Sequence, residues 1–146
     1  MNFLNFSEVY EKTPITDKFS VFDYQYGRCH LFALVLNEVL NHDIKVFINE
    51  EPFYEDLPED GIVPAALEHA FCLIKEDITL DAGGVSDIDS LFAEYCPDPS
   101  NTVILDGNIA KNLIYSWIKE GLLEDFELNE YEKLKQFINE KFKNGN

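Results

Sequence analysis

Three residue types that together make a nucleophile stand in order along this chain: Cys29, His69 and Asp81. A thiol attacks carbon as the thiolate, so a cysteine that works near neutral pH needs something to lower its pKa. Cys29 ends the stretch Tyr26-Gly27-Arg28-Cys29 and runs straight into apolar Leu31, Phe32 and Ala33. That places it at the start of a helix, where free N–H groups and partial positive charge favour the ionised sulfur. A histidine within reach takes the thiol proton, and a carboxylate behind the ring fixes its tautomer and stabilises the imidazolium. His69 and Asp81 are the residue types for those two roles.

Positioning them falls to a helix and a hairpin. Phe32, Val35, Leu36, Val39 and Leu40 recur at the spacing of a helix pressed into a core, and Cys29 lies three residues before Phe32 on the same side. Asn41, His42 and Asp43 are turn-forming types that end it. Ile44, Val46 and Ile48 then alternate with Lys45, Phe47 and Asn49, as in a strand with at least one buried face. Residues 70–74 and 78–80 are β-prone runs separated by Lys75-Glu76-Asp77, a hairpin loop, with His69 opening the first strand and Asp81 closing the second. If Ile74 pairs with Ile78, Phe71 faces Asp81 and His69 is its diagonal neighbour, about 7 to 8 Å away and within reach of an imidazole. A slip of one residue would put the two side chains on opposite faces. Asp81-Ala82-Gly83-Gly84 is expected to leave the sheet in a sharp turn.

The flanks read as support. Ser7 is placed to cap a short helix through Lys12 that Thr13-Pro14 stops, and residues 15–25 form an extended approach carrying Phe19, Val21, Phe22 and Tyr24. Residues 50–68 are broken by Pro52, Pro58, Gly61 and Pro64 and crowded with carboxylates, so they cannot be one regular element; a lid, a partner site and a solvated insertion all remain open readings. Beyond them, Ser86 with Asp89 is expected to cap a helix over residues 87–95, and residues 102–105 to form a short strand. Residues 108–120 predict a helix burying Ile109, Leu113 and Trp117, with Ile114 a further candidate, and Asn129 with Glu132 a capped helix to about Phe142. The whole is α+β and one domain, residues 1–146, with a catalytic-like core at about 25–85 and a C-terminal helical scaffold at about 86–143.

The segments Gly27-Arg28-Cys29-His30-Leu31-Phe32-Ala33, Glu68-His69-Ala70-Phe71 and Leu80-Asp81-Ala82-Gly83-Gly84 resemble the papain-like fold cysteine enzymes, in particular the transglutaminase-like and arylamine N-acetyltransferase-like branch. There a cysteine begins a buried helix, a histidine opens a strand and an aspartate follows on the next strand. The resemblance spans about residues 25–85 and implies a papain-like fold, with the nucleophile helix packed on a small antiparallel sheet and additional C-terminal helices. It also implies a hydrolase or acyltransferase, the Cys29 thiolate attacking an amide, ester or thioester of a peptide or small acyl substrate. Such chemistry requires an oxyanion stabiliser, which the resemblance assigns to the nucleophile's own N–H and a side chain just upstream. Gln25 is the candidate, with Tyr24 and Tyr26 as alternatives, and it stands nearer to the cysteine than a papain-type glutamine does.

Charge and composition narrow the classes. Eleven basic against 28 acidic residues, a net charge of -17, argue against direct nucleic-acid binding, which rests on clustered Lys and Arg. The same charge suits a basic protein partner, and an acidic non-catalytic binding or inhibitor protein, a nucleic-acid mimic among them, is the alternative function. Three cysteines with no regular spacing predict free thiols and a reducing compartment. Cys72 is read as core, Cys96 before Pro97 as a helix end, and His30 and His42 as surface or turn residues. His69 and Cys72 would point to opposite faces of a strand, so no metal site is expected, and no phosphate-binding glycine loop or other cofactor motif is present. The first residues, Met1-Asn2-Phe3-Leu4-Asn5-Phe6, carry no basic region followed by a long apolar run, and no segment reaches the ~20 apolar residues of a membrane span, so a cytoplasmic protein is expected.

Overall fold

A computed structural model describes residues 11–50 and 66–143. In chain order the elements are helices α1 (Val21–Gln25) and α2 (Cys29–Leu40), then strands β1 (Asp43–Asn49), β2 (Ala66–Lys75), β3 (Ile78–Asp81) and β4 (Gly84–Asp87). Helix α3 (Ile88–Tyr95), strand β5 (Thr102–Asp106), and helices α4 (Gly107–Lys119) and α5 (Glu130–Ile138) complete the set. The strands form one five-stranded sheet in the order β4-β3-β2-β1-β5, antiparallel at every pairing. The fold is α+β.

Helix α2 is more deeply buried than its spacing predicts: from Cys29 to Leu36 every residue is buried. One side lies on the sheet, where the Cys72 thiol donates to the Ala33 carbonyl (3.5 Å). The other side is covered from the C-terminal end, the Phe137 and Phe142 rings standing 6.4 Å from that of Phe32. Fully burying Leu31, Phe32, Val35 and Leu36 contributes about 1.5–3 kcal/mol each, so tertiary packing anchors the helix that carries the thiol. Asn41, in the left-handed region at φ 60°, ends it where expected.

The β2–β3 hairpin closes differently from the expected one and reaches the same register. Strand β2 begins at Ala66, so His69 lies inside it rather than opening it, and the last residues of the 50–68 stretch are strand. Lys75, not Ile74, pairs with Ile78 across a two-residue turn that Glu76 enters at φ 41°; the extra residue makes a bulge, after which Leu73 pairs with Thr79 and Cys72 with Leu80. The bulge absorbs the one-residue difference, so the parity that places His69 and Asp81 on one face survives.

Asp81 does not leave the sheet. It pairs with Gly84 across Ala82-Gly83, and the chain turns straight back into edge strand β4. The approach to Cys29 is not extended either: Asp23 accepts from the Ser20 N–H (2.8 Å) and hydroxyl (3.1 Å), and this nucleates α1. Asp87, rather than Ser86, caps α3 by accepting from the Ser90 N–H (2.8 Å). Asn129 sits at φ 67° without a side-chain cap bond, and the adjacent Glu130 carboxylate accepts from the Glu127 N–H (2.7 Å). Helix α5 gives way at Asn139 to a π-turn through Lys143, short of the helix expected to Phe142. Residues 7–10 of the expected first helix, and 51–65 of the acidic stretch, lie outside the described residues.

Candidate active site

Paired positions put Phe47, His69, Phe71 and Asp81 on the sheet face that α3 covers, while Cys72 points to α2 on the other. His69 lies beyond the paired stretch of β2 and β3, on the side of the Ala82-Gly83 turn. Its ring is fully buried, and Nε2 stands 2.7 Å from Asp81 Oδ2. Asp81 is acceptor-only when ionised, so Nε2 carries the proton and Nδ1 is the basic nitrogen. The other carboxylate oxygen accepts from the Gly83 N–H (2.9 Å), which locks the orientation of the group. Tyr95, at the end of α3, stacks flat on the His69 ring with centroids 3.6 Å apart and planes 2° from parallel. The ring is held on one edge by hydrogen bonding and on one face by an aromatic plate.

Cys29 is the first residue of α2, after a turn in which Gly27 takes φ 118°, a conformation that favours glycine. Arg28 at the N-cap makes no side-chain cap bond, and no acidic residue occupies the first turn. The helix-start charge is therefore left for the sulfur. The thiol is only 5% exposed, and burial, the largest influence on it, opposes ionisation. The adjacent His30 and His69 rings, polar and charged, override burial and lower the Cys29 pKa to about 6. Burial also works against a charged His69; its hydrogen bond to Asp81 and the neighbouring Cys29 sulfur outweigh this and raise the ring to about 9. These values belong to one coupled pair, in which each group favours the charged form of the other. Nδ1 of His69 makes no directed hydrogen bond in this resting arrangement, although thiol and ring shift one another's titration.

The other thiols have no such environment. Burial pushes Cys72 up, and raises Cys96 to about 11.

Gln25, at the end of α1, lies at the carboxylate end of the relay. A Cβ on Gly83 would come within 2.6 Å of Gln25 Nε2 and 3.2 Å of Asp81 Oδ1, so the glycine leaves room for the amide. Both tyrosine alternatives are committed elsewhere: the Tyr24 hydroxyl donates to Glu130 (2.6 Å) and that of Tyr26 to Glu94 (3.0 Å).

Three contributors escaped the sequence reading. His30 is not a surface residue: it is 1% exposed and its Nε2 donates to the Glu124 carbonyl (2.7 Å), leaving Nδ1 as the basic nitrogen beside the thiol. Tyr95 supplies the plate behind His69. Arg28 and Glu130 form a buried ion pair, reinforced by Arg28 donating to the Asp125 carbonyl (2.9 Å), that ties the residue before Cys29 to α5. His30 carried one signal in the sequence, its place inside an apolar run; the other two depend on contacts across the fold. Among the described residues no group of three His, Cys, Asp or Glu side chains is placed to hold a metal ion, and no helix is long and apolar enough to cross a membrane. Comparison of the chain with protein-family models, with curated proteins and with solved structures finds no match.

Proposed function

We propose that the chain is a thiol-dependent acyl-transfer enzyme, a hydrolase or acyltransferase with a Cys29-His69-Asp81 relay on a papain-like scaffold of the transglutaminase-like and arylamine N-acetyltransferase-like kind. The observation that carries this reading is the buried His69–Asp81 bond of 2.7 Å, with the thiol at the start of α2 coupled to the same ring. Nδ1 takes the thiol proton, and Asp81 holds the tautomer through Nε2 and stabilises the imidazolium. The thiolate adds to an amide, ester or thioester carbonyl. The oxyanion forms at the helix start, where the Cys29 N–H is a donor; the Gln25 amide, the side-chain candidate, must swing there from its place beside Gly83 and Asp81. Collapse expels the leaving group with the proton from Nδ1, and water or an amine, deprotonated by the same nitrogen, releases the acyl group from sulfur. The test is incubation with a small activated ester such as p-nitrophenyl acetate: an acetyl group on Cys29 by mass spectrometry and turnover abolished by Cys29→Ala support it. Equal turnover by Cys29→Ala overturns it.

The 5% exposure of Cys29 favours a second reading, an acidic binding protein that keeps the scaffold without the chemistry and meets a basic protein partner through its net charge of -17. That reading expects salt-sensitive binding of a basic protein that Cys29→Ala leaves intact and neutralisation of the carboxylates in residues 50–60 weakens. Binding that is insensitive to both salt and neutralisation removes it.

A further inference from the structure

Where helices α2, α4 and α5 meet, a cavity of about 320 Å³ opens among residues that take no part in the relay. That volume falls at the lower end of the ~300–1,000 Å³ of small-molecule sites. Its apolar lining is buried Leu34 and Val35 from α2, with Phe126 and Tyr131, whose rings meet edge to face at 5.5 Å. The polar lining divides by helix. Helix α2 brings acceptors: the Asn37 amide donates its Nδ2 to the His42 carbonyl (2.8 Å), which leaves Oδ1, and Glu38 takes the Tyr131 hydroxyl on Oε2, which leaves Oε1. Helix α4 brings donors: half-buried Lys111 and the Tyr115 hydroxyl, neither of which has a hydrogen bond or ion pair among the described residues. A lysine left unpaired is unexpected in a chain with 28 acidic residues against 11 basic ones. Acceptors with a negative charge thus share one small cavity with donors bearing a positive charge, beside an aromatic and aliphatic lining. A monoanion placed there would meet Glu38 and the field of a chain of net charge -17, and a monocation would meet Lys111. A small molecule that carries both charges, with no net charge, meets neither opposition.

We propose that this cavity binds a free α-amino acid with an aromatic or large apolar side chain, held as the zwitterion. The ammonium donates to Glu38 and to Asn37 Oδ1, the carboxylate accepts from Lys111 and the Tyr115 hydroxyl, and the side chain lies against Phe126, Tyr131 and the Leu34–Val35 surface. The site involves no bond to Cys29, His69 or Asp81 and goes beyond the acyl-transfer reading.

The test is a titration of the full-length, ¹⁵N-labelled protein with L-phenylalanine, read by amide chemical shifts. Three comparators each lack one feature: 3-phenylpropionate the ammonium, 2-phenylethylamine the carboxylate, and glycine the ring. Saturable shifts concentrated at Asn37, Glu38, Lys111 and Tyr115 are expected with L-phenylalanine, and weaker binding with every comparator. Lys111→Gln and Glu38→Gln, both at positions that reach solvent, should each weaken the apparent affinity by about 1.5- to 5-fold. Glu38→Gln keeps an acceptor for the Tyr131 hydroxyl, so the wall of the cavity stays in place while its charge is removed. Shifts that do not saturate or that scatter over the surface would overturn the site. So would binding of 3-phenylpropionate or 2-phenylethylamine as tight as that of L-phenylalanine, or affinity unchanged in both variants. Because no variant touches the relay, either reading can fail without the other.

Discussion

Replacing His69 by glutamine should raise the Cys29 midpoint out of the acid range, and the upper bound of the change follows from the site, since His30 also lowers the thiol and stays in place. Cys29 is lowered to about 6 from an ordinary value of 9.0. At pH 5 about one sulfur in ten is then thiolate, against about one in ten thousand of an unperturbed thiol, a ratio of about 1,000. A less basic thiolate is also a weaker nucleophile, by about 16- to 30-fold over three pKa units in sulfur-exchange reactions. The net advantage is therefore about 30- to 60-fold at pH 5, only about 3- to 6-fold at pH 7, and reversed by about pH 9. The shape of the pH profile, more than the rate at neutral pH, carries the information.

The assay is the rate of modification of Cys29 by methyl methanethiosulfonate, a reagent small enough for a thiol that is 5% exposed, followed by peptide mass spectrometry from pH 4.5 to 9.5. Wild type should reach half its plateau near pH 6, and His69→Gln should lose up to about 30- to 60-fold at pH 5 as its midpoint rises, with the full loss reached only when His30 is replaced as well. Cys72 and Cys96, both raised by burial, serve as internal comparators that stay unmodified through the acid range. A wild-type midpoint above pH 8, or a folded His69→Gln protein that keeps its pH 5 rate, would refute the coupling of sulfur and ring.

Other outcomes follow from the same contacts. Asp81→Asn, which removes the ionised acceptor of the His69 Nε2 proton, should raise the Cys29 midpoint and lower ester turnover by about 10²- to 10⁴-fold, measured as the pH profile of kcat/KM. Glu130→Gln should destabilise the fold by about 3–5 kcal/mol in urea melts, because it leaves the Arg28 guanidinium buried without its counter-charge. Burial raises the Glu130 carboxyl, but Arg28 and Tyr24 outweigh this and hold it below its ordinary value of 4.5. Its stabilisation is present above that pH and lost as pH falls through the folded value, so this part of the acid limb should flatten in the variant. Gly83→Ala should displace the flexible Gln25 amide at little cost to stability and lower turnover as Gln25→Ala does. If the two act on one contact, the double variant should lose no more than either alone; full additivity would refute that.

The local part of this arrangement was legible in the sequence. A thiol entering an apolar helix, and two β-prone runs around a short loop, are written in consecutive residues, and the helix end at Asn41 and the His69–Asp81 parity follow from them. The details that went astray turn on one-residue choices: Glu76 accepting a positive φ tightened the hairpin, and a bulge at Ile74 compensated for it. Asp81 read as a departure from the sheet because Gly83-Gly84 marks a turn equally well whether or not a strand follows. Long-range partners left no local trace. Nothing near Tyr95 announces that it will lie on His69, and Glu130 looks like any acidic residue in a first helical turn until Arg28 is seen against it. His30 was misjudged because adjacent residues on a helix normally face apart, whereas both flanks of α2 are covered.

The Arg28–Glu130 pair also bears on how the protein can be dissected. The residue before the thiol is gripped by a carboxylate from the far end of the chain, so what reads as a catalytic third followed by scaffold is one mechanical unit. A fragment cut after the hairpin, or a graft of residues 25–85 onto another host, would arrive with an unpaired guanidinium in its interior and a nucleophile whose footing had been left behind.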